Sequence, residues 1–133
     1  MWALPVSLRQ RKRGNRRAMR ELAASPAWRS FFPQRVREWY AFPSEAYYDF
    51  LAKEATRIDL WETEYLHVLA GPGAIVEWYK GTGLRPFLDT LPGEPERERF
   101  LVDYGEALRP LYPARPDGRV LFPFRRLFLI AYR

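Results

Sequence analysis

Few side chains in this sequence could carry acid–base, nucleophilic or metal chemistry. There is no cysteine, which excludes disulfides, thiolate metal sites and a cysteine nucleophile, and the single histidine, His67, excludes a histidine-rich metal cluster. No glycine-rich dinucleotide fingerprint and no P-loop are present, and Gly81-Thr82-Gly83 comes after a predicted helix, which is the wrong end for holding a phosphate. The acid pairs Glu62/Glu64 and Glu94/Glu96 are typical of a solvated face and of a helix N-terminus. We therefore expect no metal site.

The positive charge of the chain belongs to its first third. Residues 1–40 hold ten basic side chains against Glu21 and Glu38, whereas the remainder holds twelve basic and fourteen acidic ones. Clustered lysine and arginine can neutralise nucleic-acid phosphates, so a small basic nucleic-acid-binding or interaction module that uses residues 9–20 is one hypothesis. Runs of this kind are more often solvated tails. We predict that residues 1–17 are a disordered basic N-terminus.

Two segments have the composition of β-strands. Arg119–Tyr132 consists of two runs rich in aliphatic and aromatic residues, separated by Arg125 and Arg126, and Pro123 marks a bulge or an edge position. In Arg57–Leu69, residues of one parity are largely apolar. The two segments are predicted to pair as an antiparallel two-stranded hairpin (57–69 with 119–132) with a helical insert between them, so the fold class is α+β.

The remaining segments have helical patterns. An amphipathic stripe begins after Ser44, a possible N-cap, and should run to about Ala55. Gly71-Pro72-Gly73 introduces a second helix, which ends near Gly81 or Gly83, and a short helical turn follows. The longest helix is predicted over Glu96–Leu111, and a shorter one begins at Ala18. At 133 residues the chain is one domain at most, and no apolar run is long enough to cross a bilayer, so a cytoplasmic protein is expected.

Four blocks, in order along the chain, resemble a known enzyme family. They are Tyr47–Leu51, Asp59–Tyr65, Glu77–Leu88 with its Trp-x-x-x-Thr-Gly-Leu-Arg-Pro core, and Phe124–Ala131. Together they are similar to the C-terminal half of trans-aconitate 2-methyltransferases, which are S-adenosylmethionine-dependent class I methyltransferases. The resemblance covers roughly Ala18 to Arg133, or residues 18–133.

The resemblance implies a larger architecture than this chain contains. It makes the two predicted strands the last two of a seven-stranded Rossmann-like α/β sheet, with the helices between them as a cap over the substrate site. The glycine-rich turn and the acidic residue that hold the methyl donor in the family precede anything found here. The expectation is a truncated form that lacks the donor-binding half, is inactive alone, and does not bind S-adenosylmethionine by itself. A partner could be that missing half or a second copy.

The family reaction also indicates which residues to consider. Methyl transfer to a carboxylate of a small polycarboxylic acid needs positioning more than acid–base catalysis, and arginine recognises carboxylates with a bidentate fork. On that basis Arg85 and then Arg126 are the candidate substrate ligands, with Tyr47, Tyr48 and His67 as hydrogen-bond donors. Each also has an ordinary structural explanation: Arg85 as a helix-terminal residue, Arg126 as an outward strand residue, Tyr47 in the core, and His67 bonded to backbone. No catalytic residue is assigned.

Overall fold

The computed structural model describes residues 2–8, 14–38 and 41–133, which form three strands and five helices. The strands are β1 (Trp2–Leu8), β2 (Arg57–Leu69) and β3 (Val120–Tyr132). The helices are α1 (Asn15–Ala24), α2 (Ser44–Leu51), α3 (Pro72–Lys80), α4 (Arg85–Thr90) and α5 (Glu94–Leu108). The α+β class is confirmed, and β2 has the predicted bounds.

The sheet has three strands in the order β1-β3-β2, so the prediction of a two-stranded hairpin is wrong in its strand count. β1 pairs antiparallel with β3, with Trp2 opposite Ala131 and Leu8 opposite Arg125. The first segment of the chain alternates apolar Trp2, Leu4, Val6 and Leu8 with small residues and Pro5. This two-residue period is the pattern of a strand, and the basic run behind it obscured it.

The same finding corrects the prediction for the N-terminus. Disorder over residues 1–17 is wrong for Trp2–Leu8, which form β1, and for residues 15–17, which begin α1. Residue 1 and residues 9–13 lie outside the described residues. The alternation of Trp2–Leu8 favours a strand, which explains why this segment is ordered as β1.

The described chain forms two compact units. The sheet unit contains residues 2–8, 41–67 and 123–133, and the helical unit contains residues 14–38 and 68–122. In the sheet unit, Leu127 and Leu129 of β3 are buried against Leu60 of β2 and against the side chains of α2. Burial of each leucine stabilises the unit by about 1.5–3 kcal/mol.

Helix α2 begins one residue earlier than its capping pattern predicts. Pro43 occupies the N-cap position, and Ser44 is the first helical residue, with its Oγ donating to Glu62 Oε1 at 2.6 Å. The helix ends at Leu51 and not near Ala55. The serine hydroxyl therefore ties the helix to β2, a contact that the capping pattern did not predict.

The core of the helical unit is aromatic, and α5 packs against both α1 and α3. Trp28 is fully buried, its Nε1 donates to Asp103 Oδ2 at 2.7 Å, and its ring meets Phe100 edge-on at 5.0 Å. The Arg99 guanidinium lies 4.4 Å from the centre of the same ring. Trp28 therefore joins the segment after α1 to α5 through packing, a hydrogen bond and a cation–π contact.

A buried phenol lies at the contact of α1 with α5. Tyr104 is completely buried, and its hydroxyl donates to the backbone carbonyl of Asn15 at 3.4 Å. Burial raises the pKa of Tyr104 because the phenolate would lose its hydration, and nearby Tyr79 and Tyr112 raise it further. Burial also raises the pKa of Tyr112.

We expect Trp28→Ala to lower the free energy of unfolding by about 3–5 kcal/mol, because it removes a large buried ring and leaves a cavity. Trp28→Phe keeps most of the buried area and should cost clearly less. Chemical denaturation followed by circular dichroism measures both. A cost below about 1 kcal/mol for the alanine variant would contradict the central role of this ring.

Stability should fall as the pH rises above about 10, the ordinary tyrosine pKa, because the unfolded chain then loses protons that Tyr104 and Tyr112 retain in the fold. The sign follows from the raised pKa: the contribution is complete below pH 10 and is lost above it. Tyr104→Phe should flatten this decline, by up to about 1.4 kcal/mol per pH unit. Denaturation at several pH values tests this, and an unchanged slope would be the contrary result.

Candidate functional site

Strands β2 and β3 present two chemically different faces, because successive strand residues point to opposite sides. The antiparallel course of the two strands follows from their side-chain contacts, which pair Asp59 with Tyr132 and Glu64 with Arg125. One face, which we call the helix-covered face, carries Leu60, Leu127 and Leu129 under α2. The other, which we call the aromatic face, carries Asp59, Trp61, Thr63, Tyr65 and His67 of β2 and Phe124, Arg126, Phe128, Ile130 and Tyr132 of β3.

The two glutamates of β2 on the helix-covered face are both accounted for. Glu62 accepts a hydrogen bond from Ser44, and Glu64 accepts one from Arg125 Nε at 3.2 Å. Both pairs are largely exposed, so each contributes little to stability. Glu62 and Glu64 thus pair with side chains of neighbouring elements, Ser44 and Arg125, and do not pair with each other as an acid–base site.

Arg126 lies on the aromatic face, near Tyr65 and Phe124. Its guanidinium carbon is 5.1 Å from the centre of the Tyr65 ring and 5.3 Å from that of Phe124, and the residue is half-buried. Within residues 14–38 and 41–133, no carboxylate lies within 4.0 Å of this guanidinium, whereas its neighbour Arg125 has Glu64. A guanidinium stacked on rings keeps its N–H groups along the edge of its plane, where a bidentate anion can accept them. The arrangement suits a carboxylate.

His67 shares its surroundings with Arg126. Its imidazole stacks on the Tyr65 ring at 5.7 Å and 9°, and it lies 6.1 Å from the Phe124 ring. Tyr65 and Phe124 therefore each contact both His67 and Arg126. Two of the five sequence-predicted site residues are brought together in this way.

The rest of the aromatic face extends this surface toward the other end of the sheet. Trp61 stacks on Phe128 with centroids 5.3 Å apart and an interplanar angle of 11°. Beyond them the Tyr132 hydroxyl donates to Asp59 Oδ2 at 3.0 Å, and the Arg57 guanidinium lies 4.1 Å from the Tyr132 ring. This end carries a paired carboxylate, so the aromatic face is suited to an anion only around Arg126.

The other three sequence-predicted site residues lie elsewhere. Tyr47 belongs to α2 and packs against Leu127 and Leu129 on the helix-covered face. Its hydroxyl accepts a hydrogen bond from the Phe42 backbone N–H at 3.3 Å. Tyr48 is half-exposed on α2. Arg85 belongs to the helical unit, where its Nε is 3.2 Å from Asp89 Oδ1 in an exposed ion pair one helical turn apart. A role of these three residues in substrate binding stays a prediction.

Sequence reasoning did not select Tyr65 or Trp61 as site residues. The available signal was parity, because Tyr65 and Trp61 share the alternation of His67 along β2. Their proximity to Arg126 depends on the register between strands about sixty residues apart, and a sequence pattern does not fix that register.

Two further arginines line a groove in the helical unit. The groove has a volume of about 380 Å³, and its lining residues are Pro33, Gln34, Arg35, Val36, Arg37, Pro86 and Thr90. Arg35 and Arg37 are exposed. Because two exposed guanidinium groups line it, the groove is a second place where an anion could bind. In the sequence these arginines belong to the basic first third and were not selected as site residues.

The basic segment gains no support as a nucleic-acid site. On α1, Arg17 is paired with Glu21, and Arg20 lies 3.6 Å from Glu38. Residues 9, 11, 12 and 13, which carry the densest charge, are outside the described residues. The part of the chain that is described also contains no cluster of three or more metal-ligating side chains, and none of its helices has the length and apolarity needed to cross a membrane.

Comparison with curated proteins finds relatives that are 42–47% identical to this chain. Trans-aconitate 2-methyltransferase of Rhizobium etli is 44% identical over 117 residues, which is 87% of this chain and 45% of that protein. The enzyme of that name from Acidovorax sp. JS42 is 47% identical over 116 residues, 86% of this chain and 45% of that protein. The one from Paracidovorax citrulli is 42% identical over 124 residues, with 92% and 47% covered. The chain is a relative of the trans-aconitate 2-methyltransferases and matches one half of them. No family model matches it.

The resemblance drawn from the four sequence blocks is thereby confirmed. The chain spans about 45% of the length of these trans-aconitate 2-methyltransferases. That the matching half is the C-terminal one stays a prediction.

Proposed function

We propose that this chain is the substrate-binding half of an S-adenosylmethionine-dependent methyltransferase that acts on a carboxylate of a small polycarboxylic acid, trans-aconitate being the first candidate. The observation that carries the proposal is Arg126. It is a half-buried guanidinium that stacks on Tyr65 and Phe124 and has no acidic partner among the described residues. The names of the relatives, 42–47% identical, support the same substrate class.

Methyl transfer to a carboxylate requires the protein mainly to bind and orient the acid. A carboxylate is already a nucleophile at neutral pH, so no general base is needed to activate it. Arg126 would hold one carboxylate of the acid through two parallel N–H···O bonds, which fixes the plane of that group. The rings of Tyr65 and Phe124 hold the guanidinium in place, so less freedom is lost when the acid binds. His67 would donate a hydrogen bond to a second carboxylate.

The glycines that follow β2 do not form a turn suited to holding the methyl donor. Of the glycines after a described strand, Gly71 and Gly73 flank Pro72 at the start of α3, and proline has no N–H to offer a ligand there. Gly83 is packed against Tyr79, whose Cδ1 would be 2.9 Å from an added Cβ. We accordingly propose that donor binding belongs to the half of the relatives that this chain does not match, and we expect residues 1–133 alone to be inactive.

We expect Arg126→Gln to weaken binding of trans-aconitate by about 10–100-fold, because a charge-assisted hydrogen-bonded contact is worth about 1.5–3 kcal/mol. The matched control is Arg125→Gln, which removes the adjacent arginine on the opposite face, where Glu64 holds it. That control should change the affinity less than about twofold. Arg126→Lys should recover little, because an ammonium cannot form the fork. Isothermal titration calorimetry with the 133-residue chain measures all four proteins.

Two results would count against the proposal. Equal weakening by Arg125→Gln and Arg126→Gln would indicate a general attraction of the anion to positive charge and no specific site. Absence of binding to the unmodified chain, together with binding of S-adenosylmethionine by it, would reverse the assignment of the two halves.

A further inference from the structure

The outer edge of β2 is a long, unpaired strand edge. In the order β1-β3-β2 it is a border of the sheet, and no other strand among residues 2–8, 14–38 and 41–133 pairs with it. It has 13 residues, roughly twice the usual strand length. Three of its large apolar side chains are open to solvent: Trp61 is 46% exposed, Leu66 59% and Val68 57%. An edge of this kind is a template for another strand.

The residues along β2 are arranged nearly symmetrically about Thr63. Suppose that a second β2 runs antiparallel to the first, with the two Thr63 residues opposite each other. Each residue before Thr63 in one copy then faces the residue equally far after Thr63 in the other copy. Leu60 then faces Leu66, Ile58 faces Val68, Trp61 faces Tyr65 and Asp59 faces His67. Two apolar pairs, one aromatic pair and one acid–imidazole pair result, and the two-fold axis forms each of them twice. Such directly opposed pairs are the units that stabilise a sheet.

Neighbouring registers are worse. Two directly opposed residues must lie on the same face of the sheet, so the two-fold axis must pass through a residue position. The nearest alternatives to Thr63 are Glu62 and Glu64. Centred on Glu62, the pairing would place Leu60 against Glu64, and centred on Glu64 it would place Leu66 against Glu62. The Thr63 register has one unfavourable pair, Glu62 with Glu64. That pair is relieved because Arg125 already accompanies Glu64 and Ser44 already donates to Glu62.

We propose that the chain forms a two-fold symmetric dimer in which β2 pairs antiparallel with β2 of a second copy about Thr63. The sheet then becomes continuous across the two copies, in the order β1-β3-β2-β2-β3-β1. The occupant is a second copy because the complementarity is that of β2 with itself, and a self-complementary patch is what a two-fold interface requires. The same pairing places Trp61 of the second copy beside Tyr65, next to Arg126.

The absence of cysteine from the sequence allows a position-specific test. In the proposed dimer, the Cα atoms of the two Thr63 residues are about 4.5–5.5 Å apart, within the range of a disulfide. We expect Thr63→Cys to form a covalent dimer under mild oxidation, seen on non-reducing gels. The matched control is Leu66→Cys, which is well exposed but would lie about 20 Å from its counterpart, six residues away along the paired strands. It should remain monomeric on the same gels.

Sedimentation velocity supplies an independent measurement without cysteine. The unmodified chain should shift from monomer to dimer with increasing concentration. Leu66→Lys should weaken this association at least tenfold, because it places a charged side chain opposite Leu60 of the other copy, and the two-fold axis does so twice. The control Val102→Lys adds the same charge at a similarly exposed apolar position on α5 and should leave the dimer unchanged.

The proposal is overturned by any of three results. They are a monomer at all concentrations, a dimer insensitive to Leu66→Lys, and cross-linking of Leu66→Cys as readily as of Thr63→Cys. The last of these would indicate strand pairing in no fixed register.

Discussion

The structure of the sheet unit depends on the central position of β3. This strand lies between β1 and β2, so both ladders of the sheet use its backbone. Its side chains also divide into two sets by simple alternation. Leu127 and Leu129 supply the buried contacts that hold α2, while Arg126, one residue away, points to the aromatic face. A shift of β3 by one residue would exchange these sets, so that the leucines would leave the core and Arg126 would leave the aromatic face.

The adjacent arginines show how the same residue type acquires different surroundings. Arg125 points to the helix-covered face and is paired with Glu64. Arg126 lies over the rings of Tyr65 and Phe124 and has no acidic partner within the described part of the chain. An exposed ion pair contributes little to stability, whereas a guanidinium held over aromatic rings keeps its hydrogen-bond donors for another molecule. This contrast makes the second arginine the functional candidate in a chain that is similar to trans-aconitate 2-methyltransferases.

The sequence allowed much of the fold to be predicted, and the failures have physical causes. Arg57–Leu69 was bounded correctly because its alternation is long and is followed by Gly71-Pro72. The strand Trp2–Leu8 was missed because seven alternating residues beside a basic run form a weak local signal, and its pairing with β3 is fixed only over a great distance in sequence. In the site, Arg126 and His67 are neighbours, but Tyr65 between them follows from inter-strand register, which local patterns do not contain. Arg85 was the first candidate because arginine recognises carboxylates, yet its local partner is Asp89.

The order of strands in space has a consequence for how this chain is made. The two outer strands come from residues 2–8 and 57–69, but the strand that joins them is at residues 120–132. During synthesis β1 and β2 therefore have no ladder partner in this sheet until residues 120–132 have left the ribosome. Closing such distant contacts is entropically slow, and unpaired strands are vulnerable to wrong partners in the meantime. The helical unit, whose segment 68–122 is translated before most of β3, can collapse first, so folding of this protein should be vectorial, with the sheet as its last event.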